Sequence, residues 1–232
     1  MIRLPSYHLA FFALATLLAA PAFAHQTVKA LDDEFFKREE YFQPMAGVAA
    51  PKFSLSDADG KVVMLDEFKG KIVVLFFVYA SCTDVCPLHA EKIAEVQTKI
   101  NASPMKDMVQ FVSVTTDPVK DDNKVMRSYD EWHGLDASNW TFLTRNPGAA
   151  EASTRDLAKK FGLRFTPSED GEVQTHAAVT YIVDREGMLA AKFHGLEFET
   201  NNAVLYINGL LNVGPHVPGD DGWWARVKAT FD

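Results

Sequence analysis

Residues 72–79 read IVVLFFVY, an unbroken apolar run introduced by Gly70-Lys71. A run rich in β-branched and aromatic residues, without polar alternation, predicts a strand covered on both faces. Such a strand needs a layer on either side, which points to an α/β sandwich. The rest of the chain supplies those layers. Residues 53–65, FSLSDADGKVVML, read as two strands around the Asp59-Gly60 turn, an N-terminal β-hairpin. Pro87 suits a first helical position, and Leu88, Ile93, Val96 and Ile100 form an apolar stripe, with Glu91, Glu95 and Lys99 on the wet side. Strands are expected over 109–115, 140–143, 175–183 and 188–193, and helices over 119–132, 149–161 and 202–211. Residues 30–42 have a helical pattern closed by Pro44. The fold class that results is α/β, with a central mixed β-sheet flanked by helices.

The N-terminus reads as an export signal. Residues 9–20, LAFFALATLLAA, form an apolar run too short to span a bilayer comfortably. Ala22-Phe23-Ala24 then supplies a small-x-small cleavage pattern. The expected partition is a signal peptide over 1–24, a helical extension over 25–46, the main domain over 47–213 and a tail over 214–232. Cleavage would make the protein periplasmic, with no membrane-spanning segment in the mature chain. With 23 basic and 31 acidic residues the formal charge is −8, and loss of Arg3 with the signal makes it −9. That balance argues against nucleic acid as a partner, because phosphate binding needs a basic face.

Beyond the buried run lie the only two cysteines, Cys82 and Cys86, with Pro87 after them. In an oxidising compartment paired thiols tend toward a disulfide. A staple closing so small a loop would stabilise little, so redox or metal chemistry is the better reading. The pair lies where a strand hands over to a helix, whose N-terminal N–H groups favour the thiolate. Two thiolates do not complete a tetrahedral zinc site, but they suit soft Cu(I). A third ligand would be an imidazole. Six histidines follow the signal: His25, His89, His133, His176, His194 and His216. His89 reads as a solvated helix residue, with ligation the sharper alternative. His176, at the mouth of the 175–183 strand, is either a ligand or a satisfied edge histidine, and spacing does not decide between them. His25 would be the mature N-terminal residue and could chelate Cu(II) with its own amino group; an unstructured terminus is the plainer reading.

The segment GKIVVLFFVYASCTDVCPLHAEKIAEVQ, followed distantly by THAAVTYIVDREG, resembles the Sco/SenC family of copper-binding, thioredoxin-fold proteins. The likeness runs from about Gly47 to Val213. It implies a thioredoxin-like fold and one copper, as Cu(I) or Cu(II), held by Cys82, Cys86 and His176. It also implies a metallochaperone that delivers copper to, or reduces the cysteines of, the binuclear copper site of cytochrome c oxidase or a similar cuproprotein. A thiol reductant protein would be a further partner. Asp117, in VTTDP, matches an aspartate beside the family's metal site. His194 reads as a cap on the final strand rather than an extra ligand.

Two other readings use the same cysteines. A thiol–disulfide oxidoreductase of similar fold would make Cys82 and Cys86 a redox-active pair, although such enzymes usually carry a proline where Gln174-Thr175-His176-Ala177 stands. A peroxiredoxin-like peroxidase would use Thr83 and Cys86, but its motif wants a proline at the position of Tyr79.

Overall fold

The computed structural model describes residues 27–167 and 174–213. The expected signal peptide, His25 and the 214–232 tail lie outside the described residues. A six-stranded sheet in the order β1-β10-β9-β4-β5-β6 forms the centre. Its strands are β1 (Phe42–Ala49), β4 (Ile72–Val78), β5 (Val109–Thr115), β6 (Trp140–Leu143), β9 (Val179–Val183) and β10 (Met188–His194). β4, β5 and β6 run parallel, and the remaining pairings are antiparallel, so the sheet is mixed.

The run at 72–79 does what its composition dictates. Every residue of β4 is buried. Ile72, Val74, Phe76 and Val78 enter one core, while Val73, Leu75 and Phe77 enter the other, as the two-residue period of a strand requires. On the first face lie α1 (Val28–Arg38), α2 (Val85–Asn101), α3 (Asn123–His133) and α5 (Thr200–Asn212). The second face is covered by α4 (Ser153–Lys160) and by the hairpin of β2 (Ser54–Ser56) and β3 (Val62–Met64). In that hairpin the Asp57 carboxylate accepts from the backbone N–H groups of Asp59 and Lys61, each at 2.9 Å.

Three expectations change. The N-terminal helix ends at Arg38, and residues 42–46 belong to β1. Pro44 therefore sits in an edge strand, at a register shift between Pro44 and Val48, where its missing N–H is tolerated. This segment is welded to the core: Phe42 packs edge-on against Phe193 at 5.4 Å and Tyr206 at 4.8 Å. Gly209 lets α5 close on α1, since a Cβ there would lie 2.6 Å from Leu31 Cδ1.

Second, the expected stripe of α2 holds at Ile93, Val96 and Ile100 but fails at its first residue, Leu88. Cys86, His89, Ala90, Ile93, Val96, Gln97 and Ile100 face inward, whereas Leu88 is 53% exposed. A 3.6-residue period counted back from Ile93 reaches 89–90 and 86, not 88.

Third, the strand expected over 175–183 is divided. β8 (Gln174–His176) pairs with β7 (Phe165–Pro167) in a separate ribbon, with His176 opposite Phe165. Only the wholly buried stretch from Val179 enters the central sheet. Polar Thr175 and His176 would be costly between β10 and β4, where both faces are dry.

Candidate metal centre

The cysteines follow β4 directly and lie at the carboxyl ends of the parallel strands, the usual position for sites in open α/β sheets. α2 starts at Val85, so Pro87 is its third residue, and the Asp84 side chain makes no capping bond. The Cys82 thiol takes over that role: the Cys86 N–H donates to Cys82 Sγ at 3.4 Å. The loop is fixed from behind by the Cys82 N–H, which donates to the Tyr79 carbonyl at 3.1 Å. Both cysteines are free and buried, Cys82 at 7% exposure and Cys86 at 2%.

The two thiols are chemically unequal. Burial opposes ionisation of Cys82, but donors around its sulfur outweigh that effect and its pKa falls below the usual thiol value. Those donors are the N–H groups of Asp84 and Cys86, the Tyr79 hydroxyl and the Cys86 thiol. Cys86 moves the other way. Burial raises its pKa well above the ordinary range, and the neighbouring Cys82 and Asp121 charges add to the rise. The pair thus offers one sulfur ready to be a thiolate and one that keeps its proton until a cation displaces it.

Asp121, rather than the expected Asp117, is the buried acid of this region. Both its carboxylate oxygens accept the Ala80 N–H at 3.1 Å, and the Thr115 hydroxyl donates to it as well. It thereby ties the entry of the cysteine loop to the end of β5. Burial raises its pKa above the carboxylate norm. Asp117 lies nearer the surface and pairs with Lys120 at 3.7 Å. Asp122, the neighbour of Asp121 in DPVKDD, is spent on capping α3.

The histidines separate. His89 is not solvated: it is 1% exposed, with Nε2 2.9 Å from Thr180 Oγ1 and its ring 5.2 Å from that of Phe76. It faces the sheet. His194 ends β10 with Nε2 2.8 Å from Gln43 Oε1, in keeping with a strand-end role. The His133 ring lies tilted against that of Tyr129, with centroids 4.4 Å apart. His176 is carried by β8 backbone, and its side chain lies outside the described residues. β9 runs antiparallel to β4 with Thr180 opposite Phe76, so the chain enters β9 at the end where β4 releases the cysteines. The topology therefore brings the 176 backbone and the thiols to the same end of the sheet, where β4 finishes and β9 begins. Among the described residues no three His, Cys, Asp or Glu side chains form a metal-binding group. Two adjacent sulfurs with no gathered oxygens fit a thiophilic ion, not a hard one.

Comparison with known proteins agrees with this chemistry. A family model described as SCO1/SenC matches residues 43–211. The SCO1 protein homolog of Bacillus subtilis (strain 168) is 27% identical over 146 residues, which are 62% of this chain and 73% of that protein. The chain spans between 55% and 73% of the length of the first curated relatives it matches. Bradyrhizobium japonicum ScoI with copper bound superposes with a TM-score of 0.56 at 26% identity, covering 70% of this chain and 98% of that one. BsSco, a member of the Sco family of cytochrome c oxidase assembly proteins in which a disulfide switch was identified, gives a TM-score of 0.63 at 22% identity, covering 74% and 98%. The thioredoxin-like fold expected from the sequence is borne out by these superpositions.

Proposed function

Because the chain belongs to the SCO1/SenC family, we propose that it is a copper-binding assembly factor whose thiols Cys82 and Cys86, with His176, carry one copper ion. The reading rests above all on the two free thiols in the loop after β4, where the Cys86 backbone N–H donates to Cys82 Sγ. Copper is cargo here. Uptake of Cu(I) displaces the Cys86 proton and any proton on Cys82, and neutral His176 is the third donor. Few ligands on a loop leave an edge open, through which an acceptor's thiolates can enter stepwise.

The recipient, by the family's part in cytochrome c oxidase assembly, is that enzyme's binuclear copper site. The expected signal peptide would bring the protein to the periplasm. No helix among the described residues is long and apolar enough to cross a membrane. Titration of the reduced protein with Cu(I) against a chelating competitor tests the assignment. One equivalent should be held by the parent and lost in both Cys82→Ser and Cys86→Ser, with His176→Ala weakened. A stoichiometric site that survives in all three variants overturns it.

The inequality of the two thiols supports a second reading, reduction of the acceptor's own disulfide. The Cys82 thiolate would attack one acceptor sulfur and release the other as a thiolate. Cys86 would then resolve the mixed disulfide, leaving Cys82–Cys86 oxidised and the acceptor reduced by two electrons. Turnover of a cuproprotein-derived disulfide peptide without copper would favour this route over delivery.

A further inference from the structure

A polar pair sits in the apolar layer between α2 and the sheet. His89 and Thr180 are both buried, and His89 Nε2 lies 2.9 Å from Thr180 Oγ1. Their surroundings are apolar. The His89 ring lies 5.2 Å from that of Phe76, the β4 residue paired with Thr180, and Ile182 follows on the same face of β9. Each group satisfies the other, which avoids the cost of an unpartnered buried polar atom. Two apolar side chains of similar volume would avoid it too. What the hydrogen bond adds is register: apolar contacts tolerate small shifts, whereas a buried hydrogen bond fixes both distance and angle.

The places from which the two residues hang give that register a use. His89 stands three residues after Cys86, within one turn of α2 and about 4.5 Å along its axis. Thr180 stands four residues after His176. The stretch between them is pinned, because the Ala178 carbonyl accepts the Gly195 N–H at 2.9 Å and Val179 pairs with His194. The His89–Thr180 bond thus joins the helix that carries Cys86 to the strand that follows His176.

We propose that His89 and Thr180 are positioning residues: their hydrogen bond locks α2 against β9 and so sets the span across which Cys86 and His176 meet one ion. They act through the backbones of α2 and β9 and not as ligands. The inference rests on the copper reading for the ion and for the part of His176, whereas the lock requires only the described fold. No change of protonation enters, since ring nitrogen and hydroxyl can each donate or accept.

The test uses the full, reduced chain. Thr180→Val removes the hydroxyl at nearly constant volume, and His89→Phe removes the ring nitrogens. Each should weaken Cu(I) retention against a chelator about tenfold, the low end of what losing a group behind a metal ligand does. The double variant should be no weaker than either single one. X-ray absorption of the loaded Thr180→Val protein should show a diminished imidazole shell with both sulfurs kept. Thr180→Ser, which keeps the hydroxyl, should retain copper as the parent does. Val96→Ala opens a cavity about two turns further along α2, and it should lower the melting temperature without moving retention. In metal-free protein, amide exchange over 174–180 should quicken in Thr180→Val and not in Val96→Ala. If His89→Phe overpacks the core, Thr180→Val carries these arms alone. Parent-like retention in folded Thr180→Val overturns the proposal, as does an equal loss in Val96→Ala, which would make the pair a source of stability only. If the parent binds no copper, the copper reading fails, and amide exchange over 174–180 alone decides whether the lock exists.

Discussion

Replacing Asp121 by alanine removes the acceptor of two donors that hold the cysteine loop, the Ala80 N–H and the Thr115 hydroxyl. Thr115 is fully buried, so its hydroxyl cannot turn to water, whereas Ala80 is partly exposed and can be resolvated. One orphaned buried donor costs about 1–3 kcal/mol, and releasing a desolvated carboxylate returns part of that. The net destabilisation should be about 2 kcal/mol, which lowers the melting temperature of a domain this size by about 4–8 °C. Asp121→Asn keeps an acceptor and loses the charge, so it should cost about half as much. The pH dependence has a definite sign. The folded-state pKa of Asp121 is raised, so its titration favours folding fully below about pH 4, and the benefit is lost as pH rises through the raised value. The deficit of the asparagine variant should therefore shrink between pH 4 and pH 7. Urea unfolding at several pH values measures this. An alanine variant that melts within about a degree of the parent at every pH would refute the assigned anchoring role.

The unequal thiols predict that at pH 7 Cys82 in a Cys86→Ser variant is alkylated at least about tenfold faster than Cys86 in a Cys82→Ser variant, as followed by mass spectrometry. Equal rates would remove the asymmetry on which the reductase reading draws. Cys86 keeps its proton through the neutral range, so apparent Cu(I) affinity should rise at least about tenfold per pH unit between pH 6 and 8, read by competition at each pH. At the other end of the core, the Tyr206 hydroxyl donates to buried Asp32 at 2.7 Å. Tyr206→Phe should cost about 2 kcal/mol in chemical denaturation by weakening the satisfaction of that carboxylate.

The central strands were legible because their burial is complete in β4 and β5 and nearly so in β6: β5 and β6 match the expected 109–115 and 140–143 residue for residue, and β4 stops one short of 79. Where burial is partial, pattern and structure part company. Leu88 looked like a core residue by type, and His89 took the inward position by phase. Pro44 looked like a helix stop and is instead an edge-strand residue, because its β10 partner, Ala191, is distant in sequence and leaves no local trace. The cysteine pair announced itself by type and spacing. The choice of Asp121 over Asp117 depended on which carboxylate faced the Ala80 N–H, a contact between residues 41 apart that no local pattern encodes.

X-ray absorption at the copper edge of the Cu(I)-loaded, reduced protein tests the ligand set most directly. Two sulfur scatterers with one imidazole nitrogen in the parent, and loss of the nitrogen alone in His176→Ala, is the expected result. A parent spectrum free of imidazole, or one that His176→Ala leaves unchanged, would contradict the convergence of Cys82, Cys86 and His176 on one ion.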